Sequence, residues 1–239
     1  MSGHSHAKTV AHKKGIAAAQ RSKIFSKMAG EIAVAAKNGG DAAANPRLRM
    51  AIDRARSFNM PTANIERAIK RGTGEEKGAT LEEILFEGYG PGDIAVLVEG
   101  ITDNKNRALG EIKQAFEKNQ GKLAGEGAVR WLFKRRGTIA ISPQDKPKED
   151  LELLSIEAGA EDTYWKEDGT LEIYTSPAQV EQIKKTLEEH GILVESASLQ
   201  WVPKERVALS QKDKAAAEKL FLALDESDAV QEIYANIKD

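Results

Sequence analysis

Nothing in this chain can form a disulfide or a thiolate metal site, because its 239 residues include no cysteine. No stretch approaches the ~20 apolar residues of a membrane span, and the first residues lack an apolar run of signal-peptide length. A soluble cytoplasmic protein with no membrane partner is expected. Histidine is almost confined to the start: His4, His6 and His12 fall in the first fifteen residues, and His190 sits in the last turn of a predicted helix before Gly191, where the helix dipole favours it. The carboxylates are scattered over solvated faces, and no nucleophile–base pair can be assembled from them. The chain is therefore expected to be no enzyme, to need no cofactor and to have no small-molecule substrate.

What is present is segregated charge. Residues 1–78 hold fifteen Lys/Arg against six Asp/Glu, a net +9, and residues 79–239 hold twenty against thirty-one, a net −11. A basic module beside an acidic body points to a polyanion partner for one end only.

Periodicity divides the chain further. Ile24, Phe25, Met28, Ile32 and Ala35 recur at helical spacing up to Asn38-Gly39-Gly40. Asn45-Pro46 offers an N-cap with proline at the first helical position, followed by an apolar stripe of Leu48, Ala51, Ile52 and Ala55. On that second helix Arg47 and Arg54 lie on one flank of the stripe, Arg49 and Arg56 on the other. A third helix after Met60-Pro61 buries Ile65, Ala68 and Ile69 and stops at Gly72, with Lys70 and Arg71 in its last turn, where the dipole alone favours them. Residues 73–80 read as a linker.

Beyond it the pattern turns β-rich. EEILFEGYG and DIAVLVEGI flank a GPG turn as a hairpin, and Thr102 or Asp103 caps a helix carrying Leu109, Ile112 and Phe116. Residues 135–202 read strand, helix (147–158), two strands joined at Asp168-Gly169, helix (177–189, Ser176 as N-cap and Pro177 at the first position) and strand, the βαββαβ order of a ferredoxin-like domain. RVALS, a Ser210-capped helix and a last strand VQEIYANIK cannot complete a sheet alone, so they are expected to pair with the strands of 81–130. The expected fold is α+β with three domains: a basic arm and helical domain (1–78), a split α/β domain (79–134 plus 203–239) and an inserted ferredoxin-like domain (135–202).

Two site chemistries fail on inspection. The arm's histidines have no carboxylate or cysteine beside them, and ordering a mobile arm around a metal is costly, so no metal site is expected. If Met1 is removed, the Ser2 amine with the Gly3 and His4 amides and the His4 ring could make an incidental planar copper or nickel site. GYGPGD is glycine-rich but lacks the P-loop Lys-Ser/Thr and a following helix, and reads as a tight turn. GTIAIS and TLEIYTS lack the aromatic series of an RNA-recognition sheet, so the inserted domain reads as a spacer or partner-binding body.

The segments GHS…HKKG…RSKIFSKMAGEI, NPRLRMAIDRARSFNMPTANIERAIKRGTG, FEGYGPGDIAVLVEGITDNKNRA and DAVQEIYANI resemble the YebC/PmpR family over nearly the whole chain. The resemblance implies a helical domain plus two α/β domains and a DNA-binding transcriptional regulator of the bacterial cytoplasm. Mitochondrial relatives are translational activators, and some bacterial members act at the ribosome to relieve stalling on proline-rich chains. The family commonly reads Gly-His-Ser-Lys-Trp at its start, whereas His6 and Ala7 follow Ser5 here, which removes a cation and an aromatic from the arm.

The leading expectation is a regulator of gene expression that grips nucleic-acid phosphates through Lys8, His12, Lys13 and Lys14 of the arm, Arg21, Lys23 and Lys27 of the first helix, and Arg47, Arg49, Arg54, Arg56, Arg67, Lys70 and Arg71 of the next two. The alternative is a translation factor bound to ribosomal RNA through the same surface. In that role a functional loop of Gly88, Tyr89, Gly90, Pro91 and Gly92, together with Thr102, Asp103, Asn104, Asn106 and Arg107, would reach a functional centre. Either role is compatible with a monomer.

Overall fold

The computed structural model describes residues 18–142 and 146–238. They form two compact units, one running to Trp131 and resuming over Val207–Lys238, the other Leu132–Arg206.

The first unit starts with three helices, α1 (Ala18–Ala36), α2 (Pro46–Ser57) and α3 (Thr62–Thr73). Their shared core is the predicted stripe: Met28, Ile32 and Ala35 of α1 meet Leu48, Ile52 and Ile65. Each fully enclosed Ile or Leu contributes about 1.5–3 kcal/mol. Asn45 does more than cap α2. Its Oδ1 accepts from the Leu48 amide at 3.1 Å, and its Nδ2 donates to the carbonyls of Ala35 and Gly39, both at 2.9 Å, so one side chain joins the end of α1 to the start of α2. The third helix runs past Gly72, contrary to expectation, and takes its left-handed turn at Gly74 (φ 82°). Gly72 instead makes room for a neighbour. A Cβ there would stand 2.2 Å from the Ala33 carbonyl oxygen, so its absence lets α3 press onto α1.

The chain then forms β1 (Glu82–Tyr89) and β2 (Ala95–Thr102), an antiparallel hairpin registered from Glu82↔Thr102 to Tyr89↔Ala95. After it come α4 (Lys105–Lys118) and the short β3 (Lys122–Ala124), which pairs with β1. The cap of α4 is Asn104, whose Oδ1 accepts from the Arg107 amide at 3.0 Å. Thr102, one of the two expected caps, instead uses its hydroxyl to accept from the Asn104 amide at 3.0 Å.

The second unit contains β4 (Phe133–Ile141), α5 (Lys148–Glu157), β5 (Asp162–Trp165), β6 (Leu171–Thr175), α6 (Val180–Glu189) and β7 (Val194–Pro203). Its sheet order, β5-β6-β4-β7 with every pair antiparallel, is the ferredoxin-like arrangement. Ile139, Ile141, Leu171 and Ile173 face the buried sides of the two helices. The second of those helices starts three residues later than expected, because the Ser176 hydroxyl bonds the Gln179 side chain (2.7 Å) and not a backbone amide, leaving 177–179 as a turn.

Back in the first unit, α7 (Gln211–Asp225), capped by Ser210 as expected, leads to β8 (Val230–Ala235), which pairs antiparallel with β2 and completes the order β3-β1-β2-β8. RVALS forms no strand; a single parallel bridge, Val207↔Ile237, is all that fits before the helix begins. One face of this sheet, with Val96, Val98 and Ile233, packs on Phe116 of α4 and Leu220 of α7. By strand alternation the opposite face carries a row of carboxylates: Glu83, Glu87, Glu99 and Glu232.

Candidate nucleic-acid interface

That row of carboxylates decides which cations of the helices remain for an external partner. Arg47 makes a two-pronged pair with Glu83, one contact at 3.2 Å and the other shorter. Arg54 bridges Glu31 at 3.3 Å and Glu232, with only 26% of its side chain exposed. Burial disfavours its charge, but Glu31 and Glu232 outweigh that and hold the guanidinium pKa above its ordinary value. On α1, Lys23 donates to the Asp225 carbonyl (2.5 Å) and Lys27 pairs with the Asp225 carboxylate (2.6 Å). Of the cations expected to hold phosphates, Lys27, Arg47 and Arg54 are thus paired with carboxylates of α7, β1, α1 and β8, and Lys23 is bonded to a backbone carbonyl at the end of α7.

Of the other described cations, Arg21, Arg56, Arg67, Lys70 and Arg71 are exposed and Arg49 is half-buried. Arg56 is 67% exposed and meets only Asp53 of its own helix, at 3.6 Å. Arg67, Lys70 and Arg71 share one exposed side of α3 at i, i+3 and i+4. Arg67 and Lys70 have no ion-pair partner among the described residues, while Arg71 donates to the Ala79 carbonyl at 3.2 Å. Arg21 is exposed on α1, and Arg49 donates to the Ala42 carbonyl at 3.2 Å. Lys8, His12, Lys13 and Lys14, with His4 and His6, lie outside the described residues. Among the described residues no cluster of His, Asp and Glu could hold a metal ion, and no helix is long and apolar enough to cross a membrane.

The two halves of the expected functional loop do not meet. Tyr89 and the Gly90–Gly92 turn stand at one end of the β1–β2 hairpin, Thr102 to Arg107 at the other. Seven residue steps at ~3.4 Å separate them by roughly 24 Å. At the first end, Gly88 is bare because a Cβ would lie 2.7 Å from the Phe116 ring, and Gly92 adopts φ 71° in the turn. At the second, Arg107 pairs with Asp103 at 2.7 Å and Asn106 is exposed on the first turn of α4, so these residues act together as a helix start.

Sequence reasoning missed Glu87 and Trp131. Glu87 is 3% exposed. Its Oε1 accepts from the Gly127 amide at 2.7 Å and its Oε2 from the Val129 and Arg130 amides, both at 2.8 Å. Burial opposes the charge, but these three amides, with the nearby Arg130, hold the carboxyl below its ordinary pKa. The alternation that puts Glu87 on the same face as Tyr89 was readable; its partner loop 40 residues away was not. Trp131, 64% exposed, ends that loop.

The comparisons agree over the whole chain. A family description, TACO1/YebC protein N-terminal domain, matches residues 5–75, and TACO1/YebC second and third domain matches residues 81–237. A "probable transcriptional regulatory protein" of Caldanaerobacter subterraneus is 43% identical, covering 100% of this chain and 98% of its own length. One from Geobacter sulfurreducens is 46% identical over 99% and 95%. The crystal structure of a conserved hypothetical protein from Aquifex aeolicus superposes with a TM-score of 0.86 at 42% identity, covering 95% of this chain and 94% of that one. By matched domains, full-length relatives and fold together, the chain belongs to the TACO1/YebC family.

Proposed function

We infer that this protein is a non-enzymatic nucleic-acid-binding regulator of gene expression in the cytoplasm, and that it grips phosphates with the outward side of α2 and α3. The observation that carries the reading is the sorting of the helical cations. After the sheet carboxylates have neutralised their share, Arg56, Arg67 and Lys70 still face solvent on the basic segment. The names of the relatives support a regulatory role, and DNA is the partner those names favour. Arg21, exposed on α1, adds a further cation, and Lys8, Lys13 and Lys14 belong to the same basic stretch of the sequence.

Phosphate contacts release counterions, so about six of them give a slope near −5 in log K against log salt on duplex DNA. A slope near zero would remove the electrostatic reading. The clean variant is Arg67→Glu with Lys70→Glu, because Arg54 cannot be reversed without breaking an internal pair. Duplex binding at about 150 mM salt is to be compared with co-sedimentation with ribosomes. A protein that pellets with ribosomes and ignores duplex DNA has ribosomal RNA as its partner, and the same double variant should then abolish pelleting.

A further inference from the structure

Among the described residues only two aromatic side chains are exposed, Tyr89 at 39% and Trp131 at 64%. Far apart in sequence, they converge on one atom. The Tyr89 hydroxyl donates to the Ala128 carbonyl oxygen at 3.3 Å, and the Trp131 indole N–H donates to the same oxygen at 3.1 Å. That oxygen is held in place, because Ala128 lies between the Gly127 and Val129 amides that the buried Glu87 carboxylate fixes. Both rings thus have their polar tips satisfied within the protein and remain exposed to solvent. Lys122 stands directly across from Tyr89 in the β1–β3 register, on the same face and exposed, and Arg130 adjoins Trp131.

Fixed aromatic faces beside cations are what unpaired bases stack on, with the cations meeting the adjoining phosphates. We propose that Tyr89 and Trp131 form a stacking platform for unpaired bases of single-stranded nucleic acid, with Lys122 and Arg130 at its phosphates. The platform rests on the nucleic-acid reading above and extends it from phosphate contact to base contact. It also gives the Gly90–Gly92 turn a role: the turn ends β1 abruptly, so that Tyr89 lies at the rim of the sheet. Base pairs inside a duplex are stacked on both faces and offer no free face to it, so the platform favours single strands over duplex interiors.

The test uses the full chain and an oligoadenylate of about 12 nucleotides, in RNA and in DNA form, beside a duplex of the same length. Tryptophan fluorescence should be quenched by either single strand, and the quenching should vanish in Trp131→Phe, which removes the indole reporter but keeps a ring. Trp131→Ala and Tyr89→Ala should each weaken single-strand binding roughly tenfold to a hundredfold and leave duplex binding unchanged. Trp131→Phe should stay within about threefold of the parent, because a phenyl ring still stacks. Equal loss with Phe and Ala, or unchanged single-strand affinity in Trp131→Ala with an unchanged thermal midpoint, overturns the platform. Quenching by a proline-rich peptide and not by the oligonucleotides also overturns it, since aromatic surfaces take such peptides too. Single-strand binding that needs Trp131 while duplex binding ignores Arg67→Glu with Lys70→Glu would sink the helical phosphate reading and leave the platform standing. The reverse pattern sinks the platform alone.

Discussion

Glu-Ile-Tyr occurs in both sheets, as Glu172-Ile173-Tyr174 on β6 and Glu232-Ile233-Tyr234 on β8, and β1 carries the glycine version, Glu87-Gly88-Tyr89. Strand alternation puts Glu and Tyr on one face each time and the middle residue on the other. In β6 the carboxylate takes Lys166 at 2.5 Å and the Tyr174 hydroxyl at 2.9 Å, while Arg206 donates to the same hydroxyl and Arg136 lies over the ring. Burial and the Glu172 charge push the Tyr174 pKa above its ordinary value. In β8, Glu232 takes Arg54 and Tyr234 donates to Glu99 at 3.1 Å. Side chains answer side chains in both, and the tyrosines are closed over. In β1 the partners are backbone groups of one loop, so nothing bulky covers Tyr89. The same three-residue pattern makes an internal clamp or an open surface according to what answers it.

That contrast can be broken at its strongest point first. Arg54→Ala leaves Glu232 and Glu31 facing each other without their cation and should cost about 3–5 kcal/mol in urea unfolding, as expected when one partner of an enclosed pair is removed. Arg47→Ala, whose pair with Glu83 is half-exposed, should cost no more than about 1 kcal/mol in the same measurement. A smaller gap between the two would show that the β8 clamp is not tighter than the surface pair.

Glu87→Gln comes next. The amide cannot satisfy all three loop N–H groups, and the loss should be roughly 1–3 kcal/mol at pH 7. Because the Glu87 carboxyl is more acidic folded than unfolded, its contribution is complete above the unfolded value of about 4.3 and falls away as pH drops toward the lower folded value. The stability difference between parent and Glu87→Gln should therefore be flat from pH 7 to 5 and shrink below about pH 4. A difference that persists in acid would assign the effect to packing. The smallest stability effect is expected for Arg67→Glu with Lys70→Glu, within about 0.5 kcal/mol, although this pair should flatten the duplex salt slope by about 2.

Much of this could be read from local pattern; apart from the Asn104 cap of α4 and the late start of α6, what could not was long-range. The Asn45-Pro46 helix start, the Ser210 cap and the ferredoxin-like strand order follow from signals within a few residues. The division of the α2 arginines into two flanks was legible too: Arg47 and Arg54 on one side, Arg49 and Arg56 on the other. Which flank faces inward was not legible, because the answer lies in Glu83 and Glu232, 36 and 178 residues away. The same holds for Gly72, which a local rule takes for a helix end and which the neighbouring helix needs as a gap. Trp131 passed unnoticed because its meaning depends on sharing a carbonyl with a tyrosine from another strand.

The position of β8 also sets a timetable. Gly100 of β2 finds its neighbour in Val230, about 130 residues later, and at ribosomal rates that interval lasts on the order of ten seconds. Throughout it the nascent chain carries an unpaired strand edge, and Arg54 lacks the glutamate that arrives on the closing strand. Until then its charge is held by Glu31 alone, so β8 brings the second carboxylate that ties α2 to the sheet, long after Glu83 of β1 has supplied the first.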